Sequence, residues 1–175
     1  LFFAALALAS CVSREKKTVE WPYGVKYEIF VMSYADGDGD GKGDFKGLTS
    51  KLDEIQKLGV NGIWLMPIMP SDTYHKYHVT DYKNIDPDYG TVEDFKQFMV
   101  EAHSRDIRVI TDFVVNHTGN NHPWFLNAQK DPDNPFRNYY VWGDRDSIRS
   151  EIFKKAKALD SDNLRKWHPV KGDTT

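Results

Sequence analysis

The sequence predicts an α/β domain built on a parallel sheet, and three observations predict it. Near-continuous apolar runs at residues 27–33 (YEIFVMS), 60–68 (VNGIWLMPI) and 107–115 (IRVITDFVV) read as buried strands. Segments of helical periodicity, 47–59 and 91–106, lie between them. Strand, helix, strand, helix, strand is the order of βαβ units, whose strands pair in parallel. Three strands and two helices close nothing, and a barrel of eight such units takes about 250 residues. The chain therefore reads as the opening part of a larger α/β domain, cut at both ends.

The elements follow in order. The first eleven residues, LFFAALALASC, are apolar and too few to span a bilayer as a helix. They read as the tail of a signal-peptide hydrophobic region. Cys11, the single cysteine, follows Leu8-Ala9-Ser10 as in a bacterial lipoprotein signal, where the thiol carries a lipid after cleavage. The alternative is an ordinary signal peptide that happens to meet a cysteine. One cysteine excludes an internal disulfide framework. Residues 12–22 read as a polar tether. After the first strand comes an Asp/Gly loop. In the first helix Leu48, Leu52, Ile55 and Leu58 share one face, and Gly59 stops it. Pro67 ends the second strand. A long loop, rich in Pro, Asp and Tyr, runs from 67 to 90, and connections of that length are usually functional. The second helix starts at Thr91 with Asp94 three residues on, a capping box. After Asn116 the pattern loosens, and a modest helix is expected at about 147–159.

Composition is globular: 40% hydrophobic, 28% charged, with five Trp, nine Tyr and ten Phe. The aromatic share suits a core and also a site that stacks flat ligands. A net charge of −3 gives no electrostatic reason to expect nucleic acid.

The loop YADGDGDGKGDFKG places Asp36, Asp38, Asp40 and Asp44 at relative positions 1, 3, 5 and 9. The Lys42 carbonyl stands at position 7, and Gly41 permits a sharp turn. A hard cation taking six to eight oxygen ligands at about 2.3–2.6 Å suits such a set, which points to calcium. The glutamate of an EF-hand is missing, since position 12 is Gly47, and a strand rather than a helix precedes the loop. The bland alternative is a solvated acidic turn. Phosphate binding by the glycines fails on charge.

Two further constellations carry polar chemistry. YHKYHVTDY, residues 74–82, packs Tyr, His and Asp densely enough to suit a sugar, with loop packing as the alternative; a His75/His78 metal pair is a weaker reading. TDFVVNHTG, residues 111–119, puts Asp112, Asn116 and His117 at the carboxyl end of the third strand, where parallel α/β folds hold their chemistry. An Asp among apolar neighbours is costly unless paired. There is no G-x-S-x-G elbow, H-E-x-x-H helix or Walker loop.

At these residues the chain resembles the α-amylase family of glycoside hydrolases, from about Tyr27 to Asp144. DGDGDGKGDFKG is similar to its calcium loop, YHVTDYKNIDPDYGT to its stacking loop and DFVVNHT to its first signature region. HPWF and YYVW resemble the start of domain B, inserted after the third strand. The resemblance implies a (β/α)8 barrel, with residues 23–115 its first part and 116–175 the start of domain B. It implies a retaining mechanism with two carboxyls about 5–5.5 Å apart. Tyr77 would stack under the sugar, His117 would bond its hydroxymethyl group, and Asp112 would shape the floor. Asp36, Asp38, Asp40, the Lys42 carbonyl and Asp44 would hold one calcium, and Asn116 would be a ligand of a second. His78 departs from the Asp that many members carry there. The nucleophile and acid/base are expected beyond Thr175.

The implied function is α-glucan hydrolysis by a lipid-anchored or secreted envelope protein, with starch or maltooligosaccharide as substrate and no protein partner. A related α-1,6-glucosidase, a glucan-rearranging enzyme and a non-catalytic carbohydrate-binding barrel are the alternatives.

Overall fold

The computed structural model describes residues 20–144. The expected signal remnant with Cys11, most of the tether and the helix at about 147–159 lie outside the described residues. Three strands, β1 (Val25–Ile29), β2 (Val60–Leu65) and β3 (Arg108–Thr111), form one sheet in the order β1-β2-β3. Both pairings are parallel, with Ile29 opposite Leu65 and Leu65 opposite Thr111.

Every strand is shorter than its apolar run. Met66 N still donates to Ile29 O, and Asp112 N to Leu65 O. Pro67 then offers no N–H and the ladder stops. Residues 31–33, expected as strand, instead form one turn of 3-10 helix. Beyond the Asp112 amide the third strand has lost its partner, so residues 113–115 leave the sheet.

The first predicted helix is two: α1 (Phe45–Ser50) and α2 (Leu52–Lys57), broken at Lys51. Thr49 Oγ1 donates to Phe45 O at 2.6 Å and Ser50 Oγ to Gly47 O at 2.6 Å. Hydroxyls turned back onto the preceding carbonyls compete with the ladder and bend a helix. Helix α3 (Val92–Ser104) matches its expectation, with the Thr91/Asp94 capping box formed in both directions. Helix α4 (Pro123–Lys130) was not anticipated. Its cap is His122, whose Nδ1 accepts from Trp124 N, an unusual residue for that task.

The helices cover one face of the sheet. Phe45, Leu48, Leu52 and Ile55 meet Phe98 and Ala102 of α3, over Ile29, Ile63 and Leu65. The opposite face carries Trp64, 44% exposed, and Ile110, 39% exposed. Large apolar side chains on both faces are what a buried parallel sheet has.

Asp44 starts α1. Its carboxylate, 4% exposed, accepts from Gly47 N at 2.7 Å and from Gly37 N at 2.9 Å. Losing a cap that also serves a second amide costs about 1–3 kcal/mol. In the presence of a chelator, Asp44→Ala should lower the urea midpoint accordingly, with Asp44→Asn in between. An alanine variant within about 0.5 kcal/mol of the parent would show that the cap is idle.

Candidate active site

The carboxyl ends of the three strands face the same way, as parallel pairing requires. The connections that leave them bring the polar residues together. The loop after β1 is the acidic one. Asp36 Oδ1 accepts from Gly39 N at 2.6 Å and Asp38 N at 3.1 Å, and its Oδ2 from Gly41 N at 2.8 Å. Asp38 and Asp40 accept in turn from Asp40 N and Lys42 N. These amides, that of Gly39 foremost, hold the Asp36 carboxyl below its ordinary range. Gly39 and Gly41 sit at φ 86° and 90°, where an L side chain would be strained.

The result is a tight coil from which Asp36, Asp38 and Asp40 each point an oxygen into a shared space, all within 4.8 Å of one another. All three are exposed. Hard, anionic, all-oxygen donors at that separation fit a calcium-type ion. Asp44 lies outside this group of three. Asp44 caps α1 through Oδ1 and accepts from the loop amide of Gly37 through Oδ2, each oxygen keeping a lone pair to spare. Lys42 sends its ammonium to Asp88, 2.6 Å away.

The loop after β2 presents Tyr77. Just before it Lys76 adopts φ 63°, is 4% exposed, and pairs with Asp86 at 2.8 Å and Asp88 at 3.1 Å. Tyr77 packs on Met69, Val79 and Val114. Its hydroxyl donates to Asp112 Oδ2 at 2.7 Å, bridging the ends of β2 and β3. Asp112 therefore has the partner that its apolar surroundings demand. This bond, then burial, pushes the Tyr77 phenol up to about 12.

His117 follows β3. The Tyr82 hydroxyl lies 2.7 Å from Val114 O and 2.9 Å from His117 O, which fixes the chain's path there. The His78 ring lies between those of His75, at 5.3 Å, and His117, at 5.9 Å, perpendicular to both. Through the His75 ring, 5.8 Å from that of Tyr77, these residues form one edge, with His78 and His117 exposed and Tyr77 and Asp112 half-buried. The Asn116 amide nitrogen lies 3.1 Å from His117 Nδ1, in solvent. Among the described residues, three His, Cys, Asp or Glu side chains converge on a metal-sized space at Asp36, Asp38 and Asp40 alone, not at His75 and His78. Tyr77 is half-buried, its ring packed in the loop's small apolar cluster.

Sequence reasoning missed Lys76, Asp86 and Asp88. Their one signal was the density of charge in two parts of a loop too apolar elsewhere to leave them all solvated.

The phenol's shift has a consequence for stability. A folded value of about 12, above the ordinary 10, favours the protonated native state. That stabilisation is complete below pH 10 and is lost as pH rises from 10 toward 12. Urea midpoints should fall more steeply over this window in the parent than in Tyr77→Phe. Parallel curves would show that the hydroxyl makes no bond to Asp112.

Residues 28–166 match the family described as "Alpha amylase, catalytic domain". Alpha-amylase 3 of Dictyoglomus thermophilum is 51% identical over 116 residues, which is 66% of this chain and 23% of that protein. An oligo-1,6-glucosidase of Parageobacillus thermoglucosidasius is 43% identical over 126 residues, 71% of this chain and 22% of its own length. The crystal structure of the alpha-amylase from H. orenii superposes with a TM-score of 0.66 at 54% identity, covering 69% of this chain and 26% of that one. The chain thus spans about a quarter of the length of these relatives, and β1–β3 are the first strands of a (β/α)8 barrel. Likeness of this strength exceeds a shared fold, and the chain belongs to the alpha-amylase family.

Proposed function

We propose that this chain is the N-terminal part of an enzyme that hydrolyses α-glucosidic bonds of starch or maltooligosaccharides with retention of configuration. The observation that carries the reading is the edge formed by Tyr77, bonded to Asp112, beside His78 and His117. A partly exposed ring gives the apolar face of a sugar a surface to stack on. Imidazoles and a carboxylate at its rim suit the hydroxyls. In this reading Tyr77 stacks the sugar under attack, His117 bonds its hydroxymethyl group, and Asp112 holds the floor by fixing Tyr77. The nucleophile and acid/base belong to later strands. Asp112 takes neither role in this reading, which gives both to those later strands.

Calcium completes the reading. Asp36, Asp38 and Asp40 would hold it, with Asp44 and the Lys42 carbonyl, and it would supply the charge that offsets three converging carboxylates. Asn116 as a ligand of a second calcium, domain B from residue 116, and a lipid on Cys11 that anchors the enzyme at the cell envelope are further parts of the proposal. An α-1,6-glucosidase is the second reading. It is supported by the 43% identity to the oligo-1,6-glucosidase and is separated by substrate.

The complete protein should cleave maltoheptaose faster than isomaltotriose; the reverse preference would favour the second reading, and no cleavage of either would sink both. Tyr77→Ala should lower kcat/KM at least about tenfold, equivalent to ~1.4 kcal/mol. Calcium should raise the melting temperature, and Asp38→Ala with Asp40→Ala should abolish that rise. A calcium response that survives the double substitution would overturn the metal assignment.

A further inference from the structure

A chain of charge runs from the acidic loop to Tyr77. Lys42 N donates to Asp40 Oδ1 at 2.8 Å, and Lys42 Nζ reaches Asp88 Oδ1 at 2.6 Å. The other oxygen of Asp88 takes Lys76 Nζ at 3.1 Å. Lys76 is also paired with Asp86, both being 4% exposed, and its ammonium lies 5.4 Å above the Tyr89 ring. Asp86 is fixed in turn by Ser71 N and Asp88 N. Asp88 therefore holds one lysine from each loop.

The link ends on strained backbone. Lys76, at φ 63°, occupies the left-handed region, which strains a residue with a Cβ. It stays there because its ammonium is gripped at the other end. The next residue is Tyr77, whose hydroxyl must reach Asp112. A small release at Lys76 would rotate the peptide that aims Tyr77.

The acidic loop acts on the other end. With a cation among Asp36, Asp38 and Asp40, Lys42 is repelled from the loop and favours Asp88. With the three carboxylates uncompensated, their charge competes with Asp88 for Lys42 and weakens that pair. The two states of the loop thus differ in the free energy of the Lys42–Asp88 pair, as coupling requires.

We propose that Asp88 is a positioning residue that couples cation occupancy of the acidic loop to the placement of Tyr77, through Lys42 on one side and Lys76 on the other. This rests on the calcium reading of that loop. Lys42 serves here through its side chain, distinct from the carbonyl assigned to the ion.

The test uses the complete protein labelled with 13Cζ-tyrosine, the Tyr77 signal being identified by its loss in Tyr77→Phe. Calcium is titrated by calorimetry and by the spectrum in parallel. The parent should bind calcium and shift the Tyr77 signal in proportion. Asp88→Asn and Lys42→Met should bind calcium within about threefold of the parent, yet leave the Tyr77 signal unmoved, and Lys42→Arg should restore the shift. A variant signal that moves as in the parent, or a parent signal that calcium leaves unmoved, overturns the coupling alone. Absence of calcium binding in the parent overturns the calcium reading, and the coupling with it. Lys42 is at the surface, so its variant folds even if Asp88→Asn does not.

Discussion

The ion pair between Lys76 and Asp86 is the constraint on which the site depends. Both side chains are 4% exposed, and removing one partner of such a pair costs about 3–5 kcal/mol. A buried pair seldom stabilises a fold more than apolar side chains of the same volume. What it contributes here is uniqueness. The loop from 67 to 90 has little regular structure of its own, only an isolated bridge between Ser71 and Val79 and a single 3-10 turn at Pro87–Tyr89. An ammonium that has few other places to satisfy itself selects one path for that loop. The left-handed Lys76, the aim of Tyr77 and the depth of Val79 follow from that selection.

The acidic loop reaches order by opposite means. Nothing in it is buried between Asp36 and Gly41. Its shape comes from carboxylates bonded to the amides that follow them, each a local turn that the glycines permit. Such turns neutralise no charge. Three exposed carboxylates with converging oxygens repel at every pH where they are ionised, and the Lys42 ammonium is turned to Asp88. The loop is thus shaped by backbone and left with a charge that a divalent cation matches.

How much of this could be read beforehand depended on range. Helix α3 was predicted to within a residue or two, because its apolar stripe and capping box are written within thirteen residues. The acidic cluster was visible for the same reason. Strand ends were overestimated, because Ile29 and Thr111 are last residues only through the place where the central strand meets Pro67, which has no N–H to offer. The break at Lys51 was written in Thr49 and Ser50, but apolar spacing outvoted it. Helix α4 was hidden by a histidine cap. Tyr77 and Asp112 were each singled out, yet their bond joins residues 35 apart, and no local pattern encodes it. Lys76 and Asp86 look like ordinary surface charges until the chain folds around them.

The two faces of the sheet carry the last step. Helices bury Ile29, Ile63 and Leu65 completely, whereas Trp64 and Ile110 on the opposite face remain about two-fifths exposed. Apolar area leaves water at about 25 cal/mol per Å², so a tryptophan and an isoleucine side by side on a sheet are a strong call for cover. In a barrel that cover is the inside of the remaining strands. The same closure would bring later strand ends around the edge that Tyr77, Asp112, His78 and His117 already form. Sheet and site are therefore incomplete in the same direction. A cover that buries Trp64 would also wall the edge at Tyr77 and Asp112, so the packing of the barrel and the shape of its mouth arise from one act of folding.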